Sequence, residues 1–260
     1  MAPPSKFFAY VGAKPWLTEQ LLEVFQDLNP SVLVSPFAGT GVFEYELARK
    51  MPECKVQLYD TNAALVNFHQ CYLQRQPELA RSLQGASELS RDDFQELGRT
   101  FANLQPLERP SLYLAARYAK WQQQCFCGKW GSYVFGTKRR LPTRAMCEPP
   151  PPNLSVSHQD GLDALQAHLR QDSNTAYYLD PPYYVRERHY ASGSNMSFPH
   201  LKLAEILDAF PNALWVLSYN DCPEIRQLFA GAVITQVLRR ASTSLSRATE
   251  LLIFSPAAAR

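Results

Sequence analysis

The chain has 260 residues, of which 46% are hydrophobic and 12% aromatic, so it can bury one large core and is not a disordered protein. Its net charge of +2 is too small to indicate a polyanionic partner by itself. No apolar stretch approaches the ~20 residues of a membrane span. The first residues also lack the pattern of a signal peptide, so we expect a cytoplasmic protein.

The six cysteines occur at irregular spacing, which favours reduced thiols over a disulfide framework. A zinc site is the alternative, because Cys125 and Cys127 are followed by Cys147 and His158. That spacing matches no usual zinc pattern. We therefore expect free cysteines and no metal.

The first 60 residues predict a helix and then a strand–helix–strand unit. The helix covers 19–28 with Thr18 as its cap, and a short strand over 32–34 follows. The strand leads into Ser35-Pro36-Phe37-Ala38-Gly39-Thr40-Gly41 and a helix, and a second strand ends at Asp60.

This arrangement predicts a nucleoside-cofactor site. Glycines allow the backbone to approach a ligand, and an acid at the tip of the second strand commonly binds ribose hydroxyls. The loop lacks the third glycine of the dinucleotide fingerprint and the lysine of a phosphate loop. NAD and ATP are therefore disfavoured.

From residue 75 to about 155 the alternation of strand and helix is lost, and helical segments predominate. The stretch 117–147 contains no acid and seven basic residues: Arg117, Lys120, Lys129, Lys138, Arg139, Arg140 and Arg144. Aromatic residues are interleaved with them, among them Trp121, Trp130, Tyr133 and Phe135. Basic and aromatic residues together are typical of phosphate contact and base stacking. A run of charge is more often a solvated face, but we predict nucleic-acid contact here.

The alternation then resumes, and a buried strand over 176–179 ends at Asp180-Pro181-Pro182-Tyr183. A carboxylate, backbone carbonyls and an aromatic ring at a strand end suit the binding of a planar, amino-bearing ring. The alternative is a simple Pro-Pro turn after a core strand. The remaining pattern predicts one more buried strand and a closing antiparallel pair. The fold class is therefore α/β, with helices on both faces of a mostly parallel sheet.

Several of these stretches together resemble the Dam-like DNA adenine-N6 methyltransferases, in the order found in that family. Tyr10-Val11-Gly12-Ala13-Lys14 resembles the amino-terminal cofactor motif, with Tyr10 in place of Trp and Ala13 in place of the second Gly. The loop Pro36 to Gly41 is similar to Pro-Phe-x-Gly-x-Gly, and Asp180 to Tyr183 matches Asp-Pro-Pro-Tyr without change. Further similar stretches are Gly131 to Gly136, Leu217 to Asn220, and Glu250 to Ile253.

The resemblance implies a Rossmann-like class I methyltransferase sheet with an antiparallel closing strand. Residues 1–70 and 156–260 would form the catalytic core, and 71–155 a mainly helical target-recognition insert. The implied enzyme uses S-adenosylmethionine, needs no metal and methylates N6 of an adenine flipped out of double-stranded DNA. It would act in a prokaryotic or phage-infected cell as a monomer or weak dimer, alone or within a restriction-modification system.

The resemblance also implies roles for individual residues. The catalytic residues are Asp180, Pro181, Pro182 and Tyr183. The cofactor-binding residues are Tyr10, Lys14, Phe37, Ala38, Gly39, Thr40, Gly41, Asp60, Asp160 and Asp180. The DNA-binding residues are Lys129, Tyr133, Lys138, Arg139, Arg140, Arg144, Arg186, Arg188 and Tyr190. The alternatives are methylation of RNA adenine or of a protein amide, and a catalytically silent nucleic-acid-binding relative.

Overall fold

Seven strands form a single sheet in the computed structural model, which describes residues 7–84, 88–136, 141, 143–170, 174–184, 198–239 and 248–259. The strands are β1 Val32–Ser35, β2 Lys55–Asp60, β3 Leu154–His158, β4 Thr175–Leu179, β5 Leu214–Asn220, β6 Val233–Arg239 and β7 Ala248–Phe254. Their order in the sheet is β3-β2-β1-β4-β5-β7-β6. The first five strands are parallel, and β7 runs antiparallel between β5 and β6. The predicted fold class is confirmed.

Helices cover both faces of this sheet. They are α1 Thr18–Leu28, α2 Val42–Lys50, α3 Ala63–Leu83, α4 Arg91–Ala102, α5 Leu112–Gln123, α6 Arg144–Cys147, α7 Gly161–His168, α8 His200–Asp208 and α9 Pro223–Leu228. The first five contribute to one buried cluster, and α7 to α9 contribute to a second cluster. Burial on both faces explains why β4 and most of β5 are continuous apolar runs, without the alternation of a half-exposed strand.

Three local expectations need correction. Thr18 is the first residue of α1, not its cap; the N-cap position belongs to Leu17, which has no capping side chain. The sequence predicts separate helices over 62–74 and 78–83, but the two are joined in α3, with a kink at Arg75 just before Pro77. The sequence also predicts that Asp221 starts a short helix, but α9 begins at Pro223, and the Asp221 carboxylate accepts hydrogen bonds from Arg226 and Gln236.

The helices of the insert bury their aromatic residues in the same cluster as α1 to α3. The Trp121 ring is fully buried and stacked on Phe94 at 5.1 Å, and its Nε1 donates a hydrogen bond to the Phe94 carbonyl across 2.8 Å. Trp121 is therefore a core residue, not one of the base-stacking groups that the sequence suggested. This cluster contains residues of the predicted insert, 71–155, together with residues of the predicted catalytic core. The division into core and insert therefore stays a prediction.

In the part of the chain that the structure describes, no helix has both the length and the apolar character needed to cross a membrane. All six cysteines are unpaired, and three of them, Cys54, Cys71 and Cys125, are buried.

Candidate active site

The carboxyl ends of β1 and β4 border a cavity of about 1220 Å³. These two strands are parallel neighbours, yet β1 is followed in the chain by β2 on its other side. Chain connections diverge at such a switch point, and a crevice is left where open α/β sheets bind their ligands. The walls come from the amino-terminal turn, the glycine loop, the ends of β2 and β4, and the start of α7.

The glycine loop after β1 is held in a conformation that needs glycine. Gly39 and Gly41 have φ angles of 49° and 63°, and a Cβ on Gly41 would lie 3.1 Å from the Tyr45 ring. The Gly39 N–H donates to Asp60 Oδ2 across 3.0 Å, and the Gly39 carbonyl is 2.9 Å from His69 Nε2. The loop is therefore fixed from both sides without any ligand.

Two acids at strand ends line the cavity while binding backbone groups. Asp60 accepts the Gly39 N–H with one oxygen and the Asn62 N–H, at 2.8 Å, with the other. Burial raises the pKa of Asp60 against the opposing effect of these hydrogen bonds. Asp160 caps α7, since its Oδ1 accepts the Leu162 N–H across 2.9 Å. Both carboxylates are thereby fixed in orientation.

Asp180, the first residue after β4, forms an ion pair with Lys14 from the amino-terminal turn. The same oxygen, Oδ1, accepts a hydrogen bond from Ser218 Oγ across 3.1 Å. Lys14 Nζ also lies 3.4 Å from a Glu250 carboxylate oxygen. Burial lowers the pKa of Lys14, but Asp180, Tyr183 and Glu250 outweigh it and raise that pKa well above its usual value. Lys14 is therefore a buried cation between two acids.

Tyr183 contacts the same pair of charged residues. Its hydroxyl lies 2.8 and 2.7 Å from the two carboxylate oxygens of Glu250, and its ring centroid is 4.8 Å from Lys14 Nζ. Burial raises the pKa of Glu250 to about 7, although Lys14 lowers it. A further buried acid, Glu44, accepts a hydrogen bond from Ser35 Oγ across 2.6 Å, and burial raises its pKa to about 7. Acids thus dominate the charged groups around Lys14.

Every residue predicted to bind the cofactor lines this one cavity: Tyr10, Lys14, Phe37, Ala38, Gly39, Thr40, Gly41, Asp60, Asp160 and Asp180. Of the predicted catalytic residues, Asp180 and Pro182 also line it, Pro181 is buried, and Tyr183 lies against Lys14. The structure brings these residues together from five stretches of the chain. Their individual roles stay predictions.

The predicted DNA-binding residues are described only in part. Six of them lie outside the described residues: Lys138, Arg139, Arg140, Arg186, Arg188 and Tyr190. Lys129 is half-buried, and exposed Arg144 forms an ion pair with Glu148 at 3.2 Å. The Tyr133 hydroxyl donates to the Leu89 carbonyl across 3.1 Å, so this ring is held partly within the insert. Their contact with DNA stays a prediction.

Four residues of the site were not predicted to contribute: Glu44, His69, Trp130 and Glu250. Glu250 gives a sequence signal, because it is the only charged residue in the strand Ala248–Phe254. Trp130 was noted only as a possible stacking residue, yet it lines the cavity and packs on Trp121 at 4.5 Å. Glu44 and His69 lie in ordinary amphipathic helices, where no local pattern distinguishes them.

No group of three or more metal-ligating side chains occurs among the described residues. The sheet order, the glycine loop after β1 and the acid at the tip of β2 define a class I methyltransferase fold. Residues 10–130 match the model of the D12 class N6 adenine-specific DNA methyltransferase family. The match confirms the resemblance over these residues and, with it, the expectation of an adenine-N6 methyltransferase. The matched region ends at residue 130, before Asp180.

Structural and sequence comparisons add little to this assignment. One similar solved structure is that of precorrin-6y C5,15-methyltransferase from Geobacter metallireducens GS-15, at 12% identity and a TM-score of 0.41. The alignment covers 96% of this chain and 91% of that chain. No conclusion follows from a TM-score this low. No curated protein matches the chain.

Proposed function

We propose that this protein transfers a methyl group from S-adenosylmethionine to N6 of an adenine flipped out of duplex DNA at a specific site. One observation carries the proposal: the glycine loop after β1 and Asp180 after β4 open into the same cavity from neighbouring strands. A cofactor held by the loop would therefore meet a base held by Asp180.

The cavity is suited to this cofactor. Ligand pockets commonly measure about 300–1,000 Å³, so a volume of about 1220 Å³ leaves room for a cofactor and a base together. Gly39 and Gly41 both line the cavity, and their positive φ angles let the backbone of the loop form part of its wall without side chains. Asp180 and Glu44, two acids that line the cavity, suit a ligand that carries positive charge. S-adenosylmethionine supplies a methyl group that its sulfonium activates.

We assign the cofactor contacts by their places in the cavity. Phe37 to Gly41 would hold the methionine end, Asp60 the ribose and, through the start of α7, Asp160 the adenine. The resemblance implies that Lys14 binds the cofactor, but its two ion pairs favour a different task. We propose that Lys14 holds Oδ1 of Asp180 in place.

Adenine N6 is a weak nucleophile because its lone pair is delocalised into the ring. Lys14 and Ser218 both contact Oδ1 of Asp180, whereas Oδ2 has no hydrogen-bond partner among the described residues. We propose that Oδ2 and the Pro181 carbonyl accept hydrogen bonds from the N6 amino group and direct its lone pair at the methyl carbon. The C–S bond would break as the N–C bond forms, and N6 would then release one proton. Tyr183 would contact the ring of the base. Rate acceleration would then come from placement and fixed dipoles.

A base inside a duplex does not reach such a cavity, so the adenine has to be flipped out. The insert presents exposed aromatic rings, Phe126 and Phe135, close in sequence to Lys129. We propose that Lys129, Tyr133 and Arg144, with the basic stretch 138–140 and residues 186–190, contact the opened duplex. Such contacts with phosphates would weaken as the salt concentration rises.

The test is transfer of labelled methyl groups to unmethylated DNA, RNA and protein by the purified enzyme. We expect transfer to DNA, and its loss in Asp180→Asn with cofactor binding retained. Asp208→Asn, an exposed acid at the end of α8, is the matched control. If the enzyme methylates only RNA or only protein, DNA is not its substrate. If it methylates none of the three, the alternative of a catalytically silent nucleic-acid-binding protein is favoured. Mapping N6-methyladenine in the DNA of an expressing cell would then give the target sequence.

A further inference from the structure

Glu250 is a buried acid in a strand with little room for movement. It lies in β7, opposite Asn220 of β5 and Val237 of β6, so the backbone around it is paired on both sides. Only 6% of the residue is exposed, and Leu251, Leu252 and Ile253 follow it. Burial of a carboxylate is unfavourable unless other groups compensate for lost water, so the partners of Glu250 explain its presence.

Both partners of Glu250 belong to the proposed catalytic site. The Tyr183 hydroxyl is within 2.8 Å of both carboxylate oxygens, and Lys14 Nζ is 3.4 Å from one of them. Lys14 also contacts Asp180, and Tyr183 ends the motif that Asp180 begins. One side chain on β7 thus connects both ends of the Asp-Pro-Pro-Tyr motif. Glu250 itself does not line the cavity.

Lys14 and Tyr183, the partners of Glu250, need a supporting contact because neither residue lies in a helix or a strand. Tyr183 follows β4 after two prolines, and Lys14 lies in the turn before α1. Neither residue is therefore held by a helix or strand of its own. A side chain on a strand that is paired on both edges can supply the missing rigidity, since catalytic groups need supporting contacts to stay within about 0.5 Å of their working positions.

We propose that Glu250 is a positioning residue for methyl transfer. It holds the Tyr183 ring directly and holds Asp180 through Lys14, so that both face the base in the orientation that the reaction requires. This inference rests on the proposed function, since it assigns Glu250 a task in the same site. It predicts a loss of turnover without a matching loss of cofactor binding.

The first test compares Glu250→Gln with Glu205→Gln, a matched change at an exposed position on α8. We expect kcat to fall about tenfold or more in Glu250→Gln, because misplacement by 1 Å can cost as much as 100-fold. Cofactor affinity and the midpoint of thermal unfolding should stay close to those of the wild type. Glu205→Gln should match the wild type throughout. An unchanged kcat in Glu250→Gln would overturn the inference.

A double-mutant cycle tests whether Glu250 acts through the Tyr183 hydroxyl. Tyr183→Phe keeps the ring and removes the group that contacts Glu250. If the two residues act as one unit, Tyr183→Phe combined with Glu250→Gln should lose little more activity than either single variant. Independent, additive losses would show that Glu250 does not work through Tyr183.

A third measurement needs no enzyme activity, so it separates this inference from the proposed function. In protein labelled with 3-fluorotyrosine, the fluorine resonance that disappears in Tyr183→Phe belongs to Tyr183. We expect it to shift and broaden in Glu250→Gln but not in Glu205→Gln. If it does not change, the inference fails whatever the enzyme methylates. If it changes while the wild type transfers no methyl group to DNA, the proposed function fails and the anchoring contact stands.

Discussion

His69 donates a hydrogen bond from Nε2 to the carbonyl oxygen of Gly39, across 2.9 Å, from the fully buried interior of α3. The direction follows because a carbonyl oxygen can only accept, so Nε2 carries the proton and, in the neutral ring, Nδ1 accepts the Tyr45 hydroxyl across 3.0 Å. Burial lowers the pKa of His69 to about 4, which keeps the ring neutral at physiological pH. A buried residue of α3 thus holds the glycine loop of the cavity in place.

We expect His69→Phe to weaken the binding of S-adenosylmethionine, because the Gly39 carbonyl loses its donor and the loop gains freedom. Loss of one such hydrogen bond is worth about 1 kcal/mol, or roughly a fivefold higher Kd. His69→Gln is the matched variant, since its amide can still donate to Gly39 and should retain most of the affinity. Calorimetric titration measures both. Equal affinity in the wild type and His69→Phe would contradict the role of this contact.

His69 should also make the protein less stable in mild acid. Its pKa is about 4 in the folded protein and 6.5 when unfolded, so the unfolded chain takes up a proton first as the pH falls. This group's contribution to stability is full above pH 6.5 and is lost toward pH 4, by about 3 kcal/mol. Urea unfolding at pH 7 and pH 4.5 should show a smaller pH dependence in His69→Gln. An identical dependence would exclude His69 as the cause.

Glu44 should have the opposite effect, because burial raises the pKa of this acid from 4.5 to about 7 in the folded protein. Between these values the folded state binds more protons than the unfolded state, so stability falls as the pH rises, by about 3 kcal/mol. Glu44→Gln removes the ionisation and keeps an acceptor for Ser35. The variant should therefore gain stability relative to the wild type between pH 5 and pH 8. If the free energies of unfolding of Glu44→Gln and the wild type differ by the same amount at every pH, the prediction is refuted.

Gly161 allows the start of α7 to pack against the cofactor loop. A Cβ at this position would lie 2.2 Å from Phe37 Cε1 and 2.5 Å from the Pro36 carbonyl oxygen, so the backbone of the loop would have to move. We expect Gly161→Ala to raise the Kd for S-adenosylmethionine by about tenfold or more, as a 1 Å displacement can cost 100-fold in function. In Gly231→Ala, where the new Cβ meets nothing within 4 Å, binding should match the wild type.

The insert should unfold together with the sheet, since Trp121 lies in the cluster that also includes α1 to α3. Trp121→Ala should lower the free energy of unfolding by about 3–5 kcal/mol, the range for large aromatic residues in cores. Phe126→Ala, at an exposed aromatic residue nearby, should change it little. Tryptophan fluorescence and far-ultraviolet circular dichroism should report one common transition. Two separate transitions would show that the insert folds on its own.

Local sequence pattern was sufficient for most of the elements. Prolines and glycines mark where a strand or helix has to end, so β4 ends before Pro181 and α2 begins after Gly41, as expected. The two halves of α3 were expected as separate helices, because Pro77 normally breaks a helix. Here the helix continues beyond a kink at Arg75, and its buried residues Tyr72 and Leu79 join the same core on either side of it.

The sequence by itself determined the fold class and many of the residues that line the cavity, because strand ends, glycine loops and the Asp-Pro-Pro-Tyr motif are local in the chain. Only the tertiary structure decided how these residues are paired. Lys14 and Asp180 are 166 positions apart, and Glu250 joins them because the antiparallel β7 lies next to β5 in the sheet. Local periodicity does not encode which buried side chains meet across strands. These contacts are decided when the strands pack together, because each buried charged side chain then needs a partner of opposite charge or a hydrogen-bonding group.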